Sequence, residues 1–124
     1  MGRVEKVNNV EKHVVLGTWR IVKFQILAYC YLYEIQVSEA ELECLTLLVF
    51  EGEQDLTVFC QRAFEKKIFS STQSVRNCLS KSEKKGLINK SGKNKKRIRI
   101  NPKLGIVFEG NVLVDYQLLS LEAT

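Results

Sequence analysis

The chain is expected to fold as a mainly α domain closing on a small β element, an α+β class. Stretches with helical apolar spacing and capping residues at their starts fill residues 18–85, and one turn-forming run, Ser91-Gly92-Lys93-Asn94, lies between two strand-like segments. The third observation is charge. Ten of the nineteen basic residues fall between Lys81 and Lys103 with one acid, Glu83, whereas the rest of the chain holds nine basic and thirteen acidic residues. A concentrated cationic segment attached to ordered structure is the electrostatic footprint of a phosphate-backbone binder.

Composition narrows the class further. At 124 residues, 45% apolar and 27% charged, the chain has room for one core and the balance of a folded protein. Its longest apolar-rich stretch, Ile21 to Leu32, is interrupted by Lys23 and Gln25 and is too short to span a bilayer. The polar start MGRVEKVNNVEKH lacks a signal-peptide core, and Lys6 stands where a myristoylation motif wants Ser or Thr. A cytoplasmic protein without a membrane partner is the expectation.

Taken in order, residues 1–17 read as a flexible or loosely strand-like segment. From Thr18, a potential cap, to Glu34 the chain reads as one long helix, apolar over more than half its circumference. Trp19, Ile26, Tyr29 and Tyr33 form one strip, and Ile21, Phe24, Ala28 and Leu32 a second. A small domain rarely covers both, so one strip is expected to meet a second subunit, a homodimer, or a larger protein assembly. Ser38-Glu39-Ala40-Glu41 is a capping box: Ser38 accepts from the Glu41 amide, and the Glu41 carboxylate is expected to reach back to the Ser38 amide. Leu42, Leu45, Leu48 and Val49 give the inward stripe, and Gly52 ends the helix.

Asp55 caps a third helix whose buried face is Leu56, Phe59, Cys60, Ala63 and Phe64. Ser71 caps a fourth, running from Thr72 to about Lys85 and stopped by Gly86. Its inward positions are Val75, Cys78, Leu79 and Ser82. Leu87-Ile88 then starts a strand, and Arg97-Ile98-Arg99-Ile100 alternates as a second before Asn101-Pro102 ends it. Residues 103–124 form a segment packing on the domain or on a partner. Within it, Ile106-Val107-Phe108 and Val112-Leu113-Val114 fit either a hairpin or a strand followed by a helix.

Cys30, Cys44, Cys60 and Cys78 are spaced by 14, 16 and 18 residues, without a CxxC pair, and His13 is the only histidine. No metal or cofactor is expected, and the cysteines read as small core residues. With one histidine, neither a Cys-His pair nor a Ser-His-Asp set can be built from well-placed elements, and Gly-rich phosphate loops are missing. Catalysis is therefore not expected.

Helix, helix, short turn, helix and basic hairpin is the order of a winged helix-turn-helix over residues 18–102, with a recognition helix at about 71–85 and a wing at about 87–101. SEAELECLTLLVFEG resembles the helix before the motif, DLTVFCQRAFEKK its first helix, SSTQSVRNCLSKSEKKGLI the recognition helix, and NKSGKNKKRIRIN the wing. The chain is similar here to the MarR-type and related winged-helix regulators, whose recognition helices end as Lys84-Lys85-Gly86-Leu87-Ile88 does. The resemblance spans Ser38 to Asn101, about half the chain, and implies a DNA-binding transcriptional regulator. It departs from that family at 103–124, too short and β-prone for the long C-terminal helix through which such chains dimerise.

The contacts expected with double-stranded DNA follow from chemistry. Gln73 and Asn77 can read adenine and Arg76 guanine, while the helix start at Ser71 and Thr72 can offer amides to a phosphate. Lys93, Lys95, Lys96 and Arg97 would engage backbone or minor groove from the wing, with Lys81, Lys84, Lys90 and Arg99 completing the cationic set. An adaptor role in a larger, for example phage, assembly is the alternative, with the winged helix gripping protein. Asn101-Pro102 after the wing also resembles plasmid and phage replication initiators that bind origin DNA. RNA binding is disfavoured because residues 81–103 hold no aromatic side chain for stacking.

Overall fold

The computed structural model describes the backbone of residues 2–107 and the side chains of residues 17–107. Its elements are α1 (Gly2–Leu32), α2 (Glu39–Glu51), β1 (Gln54–Asp55), α3 (Leu56–Glu65), α4 (Thr72–Lys84), β2 (Ile88–Ser91) and β3 (Arg97–Ile100). The molecule is thus mainly helical with a small antiparallel sheet, as the spacing predicts. The sheet has three strands in the order β1-β3-β2, so β3 is central.

The first helix departs from expectation. The chain is helical from Gly2, not loosely strand-like over 2–17, and Thr18 does not start it; only Gly17, at φ −113° and ψ 16°, leaves helical geometry. No proline interrupts this run, and a lone glycine bends a helix without ending it.

The caps of the next three helices form locally. Ser38 accepts from the Glu41 amide at 3.1 Å, and Asp55 accepts from the Thr57 and Val58 amides at 2.9 and 3.1 Å. Ser71 accepts from the Ser74 amide at 3.1 Å. Gly86 (φ 78°) supplies the left-handed residue after α4. The second half of the capping box does not form, because the Glu41 carboxylate turns inward. It is buried and accepts from Ser82 Oγ at 2.6 Å and Lys85 Nζ at 2.7 Å. Two strong donors in the interior outcompete one backbone amide at the surface.

One core joins the helices and the sheet. Val22, Ile26 and Cys30 of α1 meet Leu42, Cys44, Leu45 and Leu48 of α2, Phe59, Cys60 and Ala63 of α3, Val75, Cys78 and Leu79 of α4, and Leu87, Ile88 and Ile98. All four cysteines are buried, as read from sequence, and their thiols are free. Phe64, expected inside, is exposed, as is Tyr33 of the first α1 strip. The inward line of α1 runs instead through Val22, Ile26 and Cys30, with Trp19 and Tyr29 beside it.

Side-chain bonds tie α1 to α2. Trp19 Nε1 donates to Glu43 at 2.8 Å, and Lys23 bridges Glu39 and Glu43. Those two carboxylates hold the Lys23 ammonium above its ordinary pKa, the Glu39 bond contributing most. Ile106 and Val107 lie outside any strand, and the expected elements from Phe108 onward fall outside the described residues. Among the described residues no helix is long and apolar enough to cross a membrane.

Candidate nucleic-acid interface

β1 decides how the basic segment is mounted. Gln54 pairs with Ile98 and Asp55 with Arg97, and the Leu56 amide donates to the Lys96 carbonyl at 2.6 Å. The next residue, Thr57, accepts from Arg76 Nη2 of α4 at 3.1 Å through its hydroxyl. Two consecutive residues at the start of α3 therefore touch the base of the hairpin on one side and the N-terminal half of α4 on the other. This brings the outer face of α4, the first turn of α3 and the hairpin into one contiguous surface.

On α4, Gln73, Asn77, Lys81 and Lys84 are exposed, while Thr72 and Arg76 are half-buried. Gln73 Nε2 donates to Asn77 Oδ1 at 3.0 Å, one turn on. Gln73 and Asn77 are thus held by each other and Arg76 by Thr57. The Ser71 hydroxyl is taken by the Ser74 amide, which leaves the amides ahead of it in the first turn without a partner inside the helix. Asn77 and Lys81 also border an open recess of ≈ 540 Å³ between α4 and the residues leading into α2, with Glu41, Cys78 and Lys85 in its wall.

The hairpin sorts its cations by the alternation of the strands. Ile88↔Ile100 and Lys90↔Ile98 are cross-strand partners, so Lys90 shares the inward face with Ile88 and Ile98. Its side chain is only 14% exposed and lies 3.7 Å from Glu83 of α4. Arg97 points outward but pairs with Glu53 at 3.4 Å. The tip turns through a short 3-10 segment, Lys93–Lys95, with Asn94 and Lys95 at positive φ. Gly92 (φ 80°) makes this turn, and a Cβ there would stand 2.8 Å from Arg97 Cγ. Lys93, Lys95, Lys96 and Arg99 are all exposed. No described carboxylate forms a salt bridge with them, or with Lys81 or Lys84.

The structure thus brings twelve of the sequence-predicted site residues to the outer surface or its edge, and turns Lys90 toward α4. Thr57 was not foreseen in this role, although a hydroxyl two residues past an N-cap sits at the rim of a first turn and could have been considered. No described group of three or more His, Cys, Asp or Glu could hold a metal. Burial pushes the Cys30 and Cys60 thiols up, away from the reactive thiolate. No family model, curated protein or solved structure matches the chain.

Proposed function

We propose that the protein is a winged helix-turn-helix DNA-binding protein that acts as a transcription regulator, with α4 as recognition helix and the β2–β3 hairpin as wing. One observation carries this reading: the polar outer face of α4 and the unpaired cations of the hairpin meet through Leu56 and Thr57 at the start of α3. A surface so built offers hydrogen-bonding side chains to base edges and separate cations to phosphates, the division of labour that sequence-specific DNA binding needs. Arg76 is the guanine reader, Gln73 and Asn77 the adenine readers, and Lys93, Lys95 and Lys96 the backbone contacts.

Selection of bound duplexes from a randomised pool, followed by sequencing, tests it. The expected result is an enriched site whose affinity falls with salt. On that site Arg76→Ala should cost about 1–3 kcal/mol and relax the preference at one base position. A pool without enrichment would sink the regulator reading. A stoichiometric protein complex that survives Lys95→Ala and Lys96→Ala would put the adaptor reading in its place.

A further inference from the structure

The four cysteines share one core but not one environment. Cys30, Cys44 and Cys60 are 1%, 0% and 1% exposed, whereas Cys78 of α4 is 8% exposed and stands in the wall of the open recess. Asn77, Lys81 and Lys85 border the same recess, and its volume of ≈ 540 Å³ readily admits a peroxide. Behind Cys78, α2 packs on α4 and brings the Cys44 thiol into hydrogen-bond contact with it. This bond holds the Cys78 thiol below its ordinary pKa, against the opposing effects of burial and of Glu41. The same contact, together with burial, pushes the Cys44 thiol up. The pair is therefore asymmetric, with one thiol near solvent and disposed to ionise, and a protonated one within its reach. At Cys30 and Cys60 burial is the leading influence, and it works against the thiolate.

We infer that Cys44 and Cys78 form a redox-active pair, in which a peroxide entering the recess converts the two thiols into an intrachain disulfide between α2 and α4. The Cys78 thiolate attacks one peroxide oxygen and breaks the O–O bond, which leaves a sulfenic acid on Cys78. The departing oxygen takes up the proton released by the thiol and leaves as water, or as an alcohol where the oxidant is an organic hydroperoxide. The Cys44 sulfur then attacks the Cys78 sulfur, the S–O bond breaks, and the Cys44 proton leaves with the hydroxyl as a second water. In all, two thiols give up two electrons and two protons, and the peroxide is reduced. A covalent S–S bond is shorter than the contact it replaces, so α4 is drawn onto α2. Ser82, one turn beyond Cys78, already ties α4 to α2 by donating to Glu41 at 2.6 Å. The disulfide thus tightens an existing junction, directly beneath the Asn77 and Lys81 side of α4. The inference goes beyond the DNA reading and does not depend on it, because the chemistry requires no nucleic acid.

Treatment of the folded, reduced full chain with hydrogen peroxide, followed by mass spectrometry and thiol counting, is the test. The expected product is a single chain lighter by two hydrogens, with two of its four thiols lost and Cys44 linked to Cys78 on peptide mapping. Hydrogen exchange along α4 should slow in this product and recover after dithiothreitol. Cys44→Ala should stop at a sulfenic acid on Cys78 that dimedone traps, and Cys78→Ala should keep its three remaining thiols. Both positions are buried, so labelling of the unsubstituted chain supplies a readout that needs no variant: Cys78 should react with iodoacetamide before the other three. Four thiols that survive enough peroxide to oxidise free cysteine overturn the inference, as does a linkage through Cys30 or Cys60 or between chains. Labelling of Cys78 no faster than the rest overturns its part as the attacking thiol, and unchanged exchange along α4 overturns the tightening of the two helices.

Discussion

Two sets of cations lie within the same basic block and serve different ends. Lys85, Lys90 and Arg97 each have a carboxylate, Glu41, Glu83 and Glu53 respectively, drawn from another element or the preceding helix. Lys81, Lys84, Lys93, Lys95, Lys96 and Arg99 are exposed and have no such partner among the described residues. The first set joins α4 and the hairpin to the body, and the second faces solvent. Net charge alone does not distinguish them. A carboxylate within reach does, because a paired cation must give up its partner before it can serve a phosphate.

The largest expected effect comes from removing the most buried carboxylate. Glu41→Ala would strip Ser82 and Lys85 of their acceptor at once, and breaking a buried ion pair from one side costs about 3–5 kcal/mol. Lys85 is partly exposed and also donates to the Gln36 carbonyl at 2.7 Å, which places the expectation near the lower end, about 3 kcal/mol. Lys84→Ala, one residue away on the solvent side, should stay within about 0.5 kcal/mol. Urea unfolding of both variants measures the gap. Equal midpoints would erase the distinction between the two sets.

Glu41 also marks where the sequence stops being legible. Its local environment, Ser38 three residues before it, spells a capping box, and half of that box forms. Its tertiary partners are 41 and 44 residues away, and no local pattern encodes them. The same limit hides β1, two polar residues whose strand character exists only through pairing with β3. Lys90 is different, since the period-two rule applied from Ile88 would have turned it inward. By contrast, α2, α3 and α4 were readable nearly to their ends, because Ser38, Asp55, Ser71, Gly52 and Gly86 act through bonds and backbone angles within a few residues. The exposure of Gln73, Asn77, Lys81, Lys84, Lys93, Lys95, Lys96 and Arg99 was legible, and their mutual placement was not. Thr57 and the Lys96 carbonyl, which hold α4 and the hairpin together, carry no sequence signature.

Gly92→Ala probes how the paired Arg97 is held. At φ 80° and ψ −177° the backbone is in a region reserved for glycine, and an added methyl would press on the Arg97 stem at 2.8 Å. The strain should cost about 1–3 kcal/mol, seen as a lowered unfolding midpoint. The contact with Glu53 should loosen with it. A neutral outcome would mean that the turn re-forms without glycine and that Arg97 owes nothing to its geometry.

On duplex DNA the two sets should separate by salt dependence. Replacing Lys95 and Lys96 together with Ala should flatten the slope of log affinity against log salt by up to about two units, with little change in stability. Lys90→Ala should leave the slope nearly unchanged, because its ammonium already lies by Glu83 on the inward side. Titrations at several salt concentrations decide between these outcomes. Equal slopes for the two variants would show that pairing in the free protein does not predict which cations meet phosphate.

The smallest effect is expected far from the basic block, at Lys23, a cation held by two carboxylates on the opposite side of α2. Its bonds to Glu39 and Glu43 raise its pKa above the ordinary lysine value of 10.5. A group whose folded pKa lies above its unfolded one contributes stability that is fully present below the unfolded value. That contribution fades as pH climbs through the folded value, so the loss belongs to strongly alkaline solution. The Lys23 side chain is partly open to solvent and Glu39 is largely so, and water and salt therefore screen the pair. Lys23→Met should accordingly lower stability slightly at neutral pH and make the remaining stability less sensitive to alkali. Thermal unfolding of both chains from neutral to alkaline pH reads the difference directly. If the curves stay parallel throughout, the α1–α2 junction rests on Val22, Ile26 and the Trp19–Phe50 stack, and its ion pairs are incidental.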